Sequence, residues 1–198
     1  MSISSFLKRN FIKNSAERHD IKYKQGHWKP LRDIHELGHY SIIAGYFLFL
    51  KKGGSILDIG CGEGILQERI SNSNYSFYKG IDIAEEAIRI AKAKENSNTG
   101  FECINLKEFS TEERFDAVIF NEALYYVGKQ AEVVKKYSSF LKNDGIFIFS
   151  NFLSQNNKIC WSEIESSFPK YDQTIITNIY EKSWVCKVLL NNKTDNDH

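Results

Sequence analysis

The sequence predicts an α/β protein: a Rossmann-like, seven-stranded, mostly parallel sheet with helices on both faces and a C-terminal antiparallel hairpin. Three observations predict it. An apolar run from Ser55 ends in Asp58 and passes through Gly60, Gly62 and Gly64 into a segment with helical spacing, Ile65, Leu66 and Ile70. That is a strand, a tight glycine loop and a helix. Short β-type runs then alternate with helix-patterned ones, as in βαβ units, and the chain closes on two adjacent β-rich runs. The 198 residues suit one domain over 33–190, with an arm or lid over 1–32 and a disordered tail over 191–198.

Taken in order, Ile34, Leu37, Ile42, Ile43, Tyr46, Phe47 and Leu50 recur at helical spacing, with Asp33 placed to start that helix and Gly53 and Gly54 to end it. The helix after the glycine loop runs to about Ser71. Residues 76–82 form a second strand that stops at Asp82, followed by an alanine-rich helix from Ala84 to about Lys94. Gly100 to Asn105 is a third strand. The run 115–121, with Val118, Ile119 and Phe120, suits a strand buried on both faces. A helix from Lys129 to Leu141, a turn at Asn143, Asp144 and Gly145, and a fifth strand ending at Phe152 follow. A short helix from Trp161 to Phe168 leads to the hairpin, Thr174–Tyr180 and Trp184–Leu190, joined by Glu181, Lys182 and Ser183.

Composition narrows the function. Hydrophobic residues make up 42% and charged residues 26%, and 26 Lys plus Arg against 25 Asp plus Glu leave a net charge of +1, so no large polyanion such as a nucleic acid is expected as partner. Cys61, Cys103, Cys160 and Cys186 form no CxxC pair, which suggests neither a zinc knuckle nor a disulfide framework and fits a reducing cytoplasm. The N-terminus lacks a signal-peptide core, and the longest apolar run, Ile42 to Leu50, is too short to span a bilayer. The basic residues of the arm share no helical face and read as solvated. Tyr23, His27 and Trp28, flanked by Gly26 and Pro30, read instead as a loop that packs onto something.

The glycine loop sets the chemistry. Glycine lets a ligand approach the backbone, and the following helix points free N–H groups into the gap. In an open parallel sheet that gap lies outside the carboxyl ends of the strands. A dinucleotide would want G-x-G-x-x-G, whereas Ile65 stands at the third-glycine position and Asp58 would repel a pyrophosphate. A cationic guest fits better.

Asp58-Ile59-Gly60-Cys61-Gly62-Glu63-Gly64 resembles the D/E-x-G-x-G-x-G signature of class I S-adenosylmethionine-dependent methyltransferases. Asp82 at the end of the second strand, the run 115–127 and the turn 141–148 resemble that family's later motifs in the same order. The resemblance covers about 33–190. It implies S-adenosylmethionine as cofactor and S-adenosylhomocysteine as product. It places Gly60 and Gly62, with Cys61, against the methionine moiety, Asp58 near its amino group, and Asp82, with Ile83, on the ribose. Asn105 and Leu106 fall where the family holds adenine, although an aspartate is more usual than Asn105. Asn121 would approach the methionine moiety or the methyl group, and His39 the cofactor carboxylate.

The arm, the GHYSIIAGY helix and the NEALYY segment resemble small bacterial methyltransferases acting on sugars, including nodulation-factor and surface-polysaccharide enzymes. That implies methyl transfer to an oxygen or a nitrogen of a small molecule, a sugar or capsule precursor. Glu122 and His35 are the expected catalytic residues among the candidate bases Glu122, His27, His35 and His39, because an alcohol must lose its proton whereas an amine need only arrive unprotonated. Tyr23, Trp28, Tyr125 and Tyr126 would cover the sulfonium or stack on a sugar ring.

His35-Glu36-Leu37-Gly38-His39 also spells H-E-x-x-H, the helical zinc site of metalloproteases. Its extended continuation fails at Ile42, and the acids that follow belong to the glycine loop or the next helix, so no resident metal is expected. A cofactor-binding protein without catalysis is the third reading. Oligomeric state stays open.

Overall fold

The computed structural model describes residues 16–191; the first half of the arm and residues 192–198 of the expected tail lie outside them. The strands are β1 (Ser55–Ile59), β2 (Phe77–Asp82), β3 (Thr99–Cys103), β4 (Phe115–Asn121), β5 (Leu141–Phe152), β6 (Lys170–Thr177) and β7 (Ser183–Leu190). They form one seven-stranded sheet in the order β3-β2-β1-β4-β5-β7-β6. The first five strands pair in parallel, and β7 lies antiparallel between β5 and β6. The order reverses between β1 and β4, and the crevice outside their carboxyl ends is where such sheets take ligands.

The helices are α1 (16–24), α2 (Ile34–Leu50), α3 (Ile65–Ile70), α4 (Glu85–Ala91), α5 (Gln130–Ser138) and α6 (Trp161–Ser167). Period-two alternation splits the core into two layers. Ile56, Ala117, Ile119, Ile146 and Ile148 face Ile43 and Phe47 of α2, Leu66 of α3 and Ile88 of α4. Leu57, Val118, Phe120, Phe147 and Phe149 face Val134 and Tyr137 of α5 and Ile164 of α6. Asp58 shares the α2 face with Ile56, so a carboxylate is carried into an apolar layer, at the end where the strands open.

Three element boundaries differ from the sequence pattern. The turn 143–145 does not precede β5 but bulges within it: Phe115 pairs with Leu141 and Ala117 with Ile146, so four residues, 142–145, loop out of the ladder. β6 begins at Lys170 and stops at Thr177, because the Asn178 side chain accepts from the backbone N–H groups of Tyr180 and Lys182 and donates to the His35 carbonyl at 3.1 Å. That side-chain turn ends the ladder and ties the hairpin to α2. The alanine-rich helix gives way at Lys92 to a 3-10 turn, Lys92–Lys94.

The arm is partly structured. α1 and the 3-10 turn Lys29–Arg32 lie across the sheet's carboxyl end, held at two points. Asp20 accepts from the backbone N–H of Glu86 in the first turn of α4 at 3.0 Å. Arg32 reaches Glu68 of α3 at 2.8 Å and Glu63 of the glycine loop at 3.4 Å.

Gly60, Gly62 and Gly64 all have positive φ, and the Gly60 and Cys61 N–H groups both donate to the Ile81 carbonyl at 2.8 and 3.0 Å. A Cβ at Gly60 would lie 2.7 Å from the Ala123 Cβ. Gly60→Ala therefore combines left-handed strain of about 1–2 kcal/mol with a clash. Urea unfolding should show destabilisation of at least that size.

Candidate active site

A cavity of about 360 Å3 opens at the carboxyl ends of β1, β2 and β4, roofed by α1 and the segment before α2. Its floor is acidic. Asp58 is buried; its Oδ2 accepts the Tyr78 hydroxyl while its Oδ1 has no hydrogen-bond partner. Burial, opposed by that hydroxyl, pushes the Asp58 carboxyl up to about 7. Asp82 is held differently: its Oδ2 accepts from Gly62 N at 2.9 Å and its Oδ1 from Ala84 N at 2.8 Å. Burial raises its pKa against the pull of those two N–H groups and of His19. Each Asp82 oxygen keeps lone-pair capacity for a further donor.

At the tip of β4, Asn121 presents a buried Oδ1 without a partner, and Glu122 follows in a left-handed conformation, φ 56°. The Glu122 carboxyl accepts from the Phe152 N–H at 3.1 Å, the Tyr125 hydroxyl at 3.1 Å and the Ser150 hydroxyl at 3.3 Å. Burial nonetheless pushes it up to about 8. The strained backbone is kept because Glu122 N also donates to the Ser150 carbonyl at 2.9 Å.

The roof is aromatic. Tyr126, 56% exposed, meets His19 edge-on at 5.4 Å, and Tyr23 and Trp28 lie 5.9 Å apart. Tyr125 packs on Tyr126 at 4.5 Å. A Cβ on Gly62 would lie 2.6 Å from the Tyr23 hydroxyl, so the arm can close on the loop only because residue 62 is glycine.

Asp58, Gly60, Cys61, Gly62, Asp82, Ile83, Asn105, Leu106, Asn121, Glu122, Tyr23, Trp28, Tyr125 and Tyr126 all line this cavity. His27, His35 and His39 do not. The His35 ring packs edge-on against Tyr180 at 4.5 Å, and His39, 1% exposed, lies inside the wall against Trp184 and Tyr40. The expectations of His35 at the acceptor and of His39 on the cofactor therefore meet no cavity contact, because the hairpin and the aromatic rings cover both imidazoles. Asn105 lines the cavity, but its Oδ1 accepts from Lys107 N at 2.9 Å in a local turn.

Sequence reasoning missed His19, Tyr40, Phe152 and Trp184 as cavity residues. His19 sat in a stretch read as a solvated arm, and Trp184 and Phe152 carry no motif. For H-E-x-x-H the structure gives another use: Glu36 hydrogen-bonds His39 at 3.2 Å, and among the described residues no three His, Cys, Asp or Glu side chains converge to hold a metal.

Residues 50–194 match a family described as a methyltransferase domain. The chain belongs to the class I S-adenosylmethionine-dependent methyltransferase family. Within it, the chain is 33% identical over 141 residues to the ubiquinone biosynthesis O-methyltransferase of Neisseria meningitidis serogroup C, covering 68% of this chain and 58% of that protein. It is 31% identical over 117 residues to the malonyl-(acyl-carrier protein) O-methyltransferase of Bacillus anthracis, covering 58% and 42%. The chain thus spans about half the length of these curated relatives. Among solved structures, the fold matches N-methyltransferase NodS from Bradyrhizobium japonicum, bound to S-adenosylhomocysteine, with a TM-score of 0.72 at 16% identity over 84% of this chain and 92% of that one. It also matches a Burkholderia thailandensis 1,6-didemethyltoxoflavin-N1-methyltransferase with a TM-score of 0.75 at 15% identity, over 92% and 89%.

The cavity of this methyltransferase domain fits that family's cofactor on its own geometry. Two glycines stand where a Cβ would collide, two buried acceptors, Asp58 Oδ1 and Asn121 Oδ1, lack partners, and the Trp28 Nε1 donor is likewise unpaired. An unpaired carboxylate oxygen suits an ammonium, and the two oxygens of Asp82 suit a pair of hydroxyls.

Asp58 and Glu122 hold protons in the folded state that the unfolded chain would release. Their contribution to stability is full below the unfolded carboxyl range, about pH 4, and is lost as pH rises through about 7 for Asp58 and about 8 for Glu122. Asp58→Asn and Glu122→Gln should each raise the melting temperature above wild type in alkaline buffer. In calorimetry that advantage should fade as the pH falls toward about 4.

Proposed function

We propose that this chain transfers the methyl group of S-adenosylmethionine to an oxygen of a small molecule, with Glu122 as the base. The observation that carries the proposal is the Glu122 carboxyl: it lines the cavity beside Asn121, is aimed by three hydrogen bonds, and has a proton affinity near neutrality. A hydroxyl acceptor needs its proton removed as the new bond forms; an amine need only lose a proton to water beforehand. A carboxyl tuned in this way therefore supports oxygen over nitrogen. The two curated relatives above are named as O-methyltransferases, which points the same way. The fold does not decide, since both structural neighbours quoted are N-methyltransferases.

When bound, the cofactor supplies an electrophilic methyl group on a sulfonium. The chain's residues do the rest. Asp82, fixed by Gly62 and Ala84, would take the ribose hydroxyls, and the unpaired Asp58 oxygen would take the amino group. Asn121, with its buried unpaired Oδ1, would contact the cofactor or the acceptor. Tyr23 and Trp28 of the arm, which we read as a lid, exclude water above them, and Tyr125 and Tyr126 offer flat faces to the acceptor. Holding two reactants in line in a dry cavity can supply about 7–11 kcal/mol of barrier reduction. The aromatic panel fits a sugar ring, and a sugar derivative such as a polysaccharide precursor is the acceptor class we favour. A hydroxylated aromatic compound is the second reading, carried by the ubiquinone-pathway relative. No helix among the described residues is long and apolar enough to cross a membrane, and four free cysteines suit a reducing cytoplasm.

Calorimetric titration with S-adenosylhomocysteine tests the cofactor assignment. Asp82→Ala should weaken binding at least about tenfold, the loss of charge-assisted hydrogen bonds to two hydroxyls. Absence of binding by the wild type would sink the proposal. A labelled-methyl screen should then place label on oxygen when sugar nucleotides, amino sugars and catechols are offered. Labelling only of nitrogen, RNA or protein would overturn the acceptor assignment, and binding without any transfer would leave a cofactor-binding protein. With the acceptor in hand, kcat/KM should rise with pH to a plateau above about 8. Glu122→Gln should remove that rise and lower the rate by about 10²–10⁴-fold.

A further inference from the structure

The two histidines of the H-E-x-x-H segment of α2 do not line the cavity, yet the segment is joined to the base. From Glu122 a chain of hydrogen bonds runs through the wall of the cavity. The Ser150 hydroxyl lies 3.3 Å from Glu122 Oε1 and 3.3 Å from His39 Nδ1, and His39 Nε2 lies 3.2 Å from Glu36 Oε2. Ser150 and His39 are buried, and Glu36 emerges at the cavity with a side chain 16% exposed. The Trp184 ring stacks on the imidazole at 5.0 Å and 13°. A carboxylate on Nε2 and an indole face over the ring are both features that stabilise an imidazolium.

We infer that Ser150, His39 and Glu36 are positioning residues for Glu122: once Glu122 has taken the acceptor's proton, His39 takes it on through the Ser150 hydroxyl, returning the carboxylate to its ionised form. The inference rests on the methyl-transfer reading above. The transfer balances atom for atom. The Glu122 O–H bond breaks and its proton passes to Ser150 Oγ, while the Ser150 proton passes to the lone pair of His39 Nδ1. His39 becomes an imidazolium whose two N–H groups donate to Ser150 and to the Glu36 carboxylate. Ser150 has a single hydrogen, so the two ends are coupled: the hydroxyl donates to Glu122 when that group is charged and to His39 when it is not. From the imidazolium the proton leaves to water once the cavity opens, and the ring is ready for the next turnover.

Other groups face this chain and contribute to its titration. They are Tyr40 from α2, Tyr125 and Tyr126 beside Glu122, Cys186 from β7, whose thiol burial pushes up to about 11, and Lys182 at the cavity rim. None of them bridges Glu122 to His39 by hydrogen bonds as Ser150 does.

The test is nitrogen NMR of the full chain labelled at histidine, following both His39 ring nitrogens across pH with and without saturating S-adenosylhomocysteine. In wild type the ring should pass from two protons to one as the pH rises. The pH at which it loses one should fall by at least about one unit, a tenfold change in proton affinity, in Glu122→Gln, Glu36→Gln and Ser150→Ala, and return in Ser150→Thr. Ser150→Ala and Ser150→Thr differ in the hydroxyl that links the two ends, and Glu36→Gln reads the far end without touching β5. An equal His39 titration in wild type and Ser150→Ala, or a smaller fall in all three variants, would overturn the inference. The same samples separate this outcome from failure of the functional reading, because S-adenosylhomocysteine binding is scored independently of the His39 signal.

Discussion

Everything at the carboxyl end of this sheet depends on a backbone that turns left-handed three times in five residues. Gly60, Gly62 and Gly64 bring the chain from β1 into α3 without any side chain at positions 60, 62 or 64. The turn is pinned by two N–H groups on one carbonyl, that of Ile81 in the neighbouring strand. Because the loop lies so flat, Ala123 closes on it from the turn after β4, Tyr23 from the arm and Phe101 from β3. The cavity is the space those approaches leave.

That flat loop also fixes the acids. Asp82 is held from one side by the Gly62 N–H and from the other by the Ala84 N–H, so the loop and the start of α4 aim the same carboxylate. Asp58 lies two residues before the loop's first anchor, Gly60, and points into the apolar layer, where only Tyr78 pairs with it. Burying carboxylates this way costs stability at neutral and higher pH. The rest of the domain is well placed to bear that cost: Phe47, Phe120, Phe147 and Phe149 are fully buried in two packed layers, each contributing about 1.5–3 kcal/mol of burial. Strain and desolvation are concentrated at one edge, and the core beneath is conventional.

Much of this was legible before folding was considered. The continuous apolar run in Phe115–Asn121, the stop of β2 at Asp82 and the glycine spacing each express a local rule, either a side-chain pattern or a backbone conformation that only glycine adopts readily. Those rules predicted the sheet, the switch point and an acidic, cation-seeking crevice. They failed where a partner distant in sequence decides. Nothing local shows that Asn178 will end β6 by reaching His35 across 143 positions, or that residues 142–145 will loop out of β5. The i, i+4 spacing of His35 and His39 is real, but its meaning was set by Trp184 of β7, Tyr180 of the hairpin turn and Ser150 of β5.

By itself, then, the sequence determined the fold class, the glycine loop and the pair of acids at the ends of adjacent strands, because those follow from periodicity and from the steric freedom of single residues. Only the tertiary structure decided which groups meet inside the cavity. It turned a basic arm into a roof bearing His19, Tyr23 and Trp28, moved two histidines from the site into its wall, and gave Glu122 a proton affinity near neutrality. Those outcomes depend on burial and on contacts between segments well separated in sequence. Burial and long-range contact are properties of packing, which no stretch of sequence carries alone.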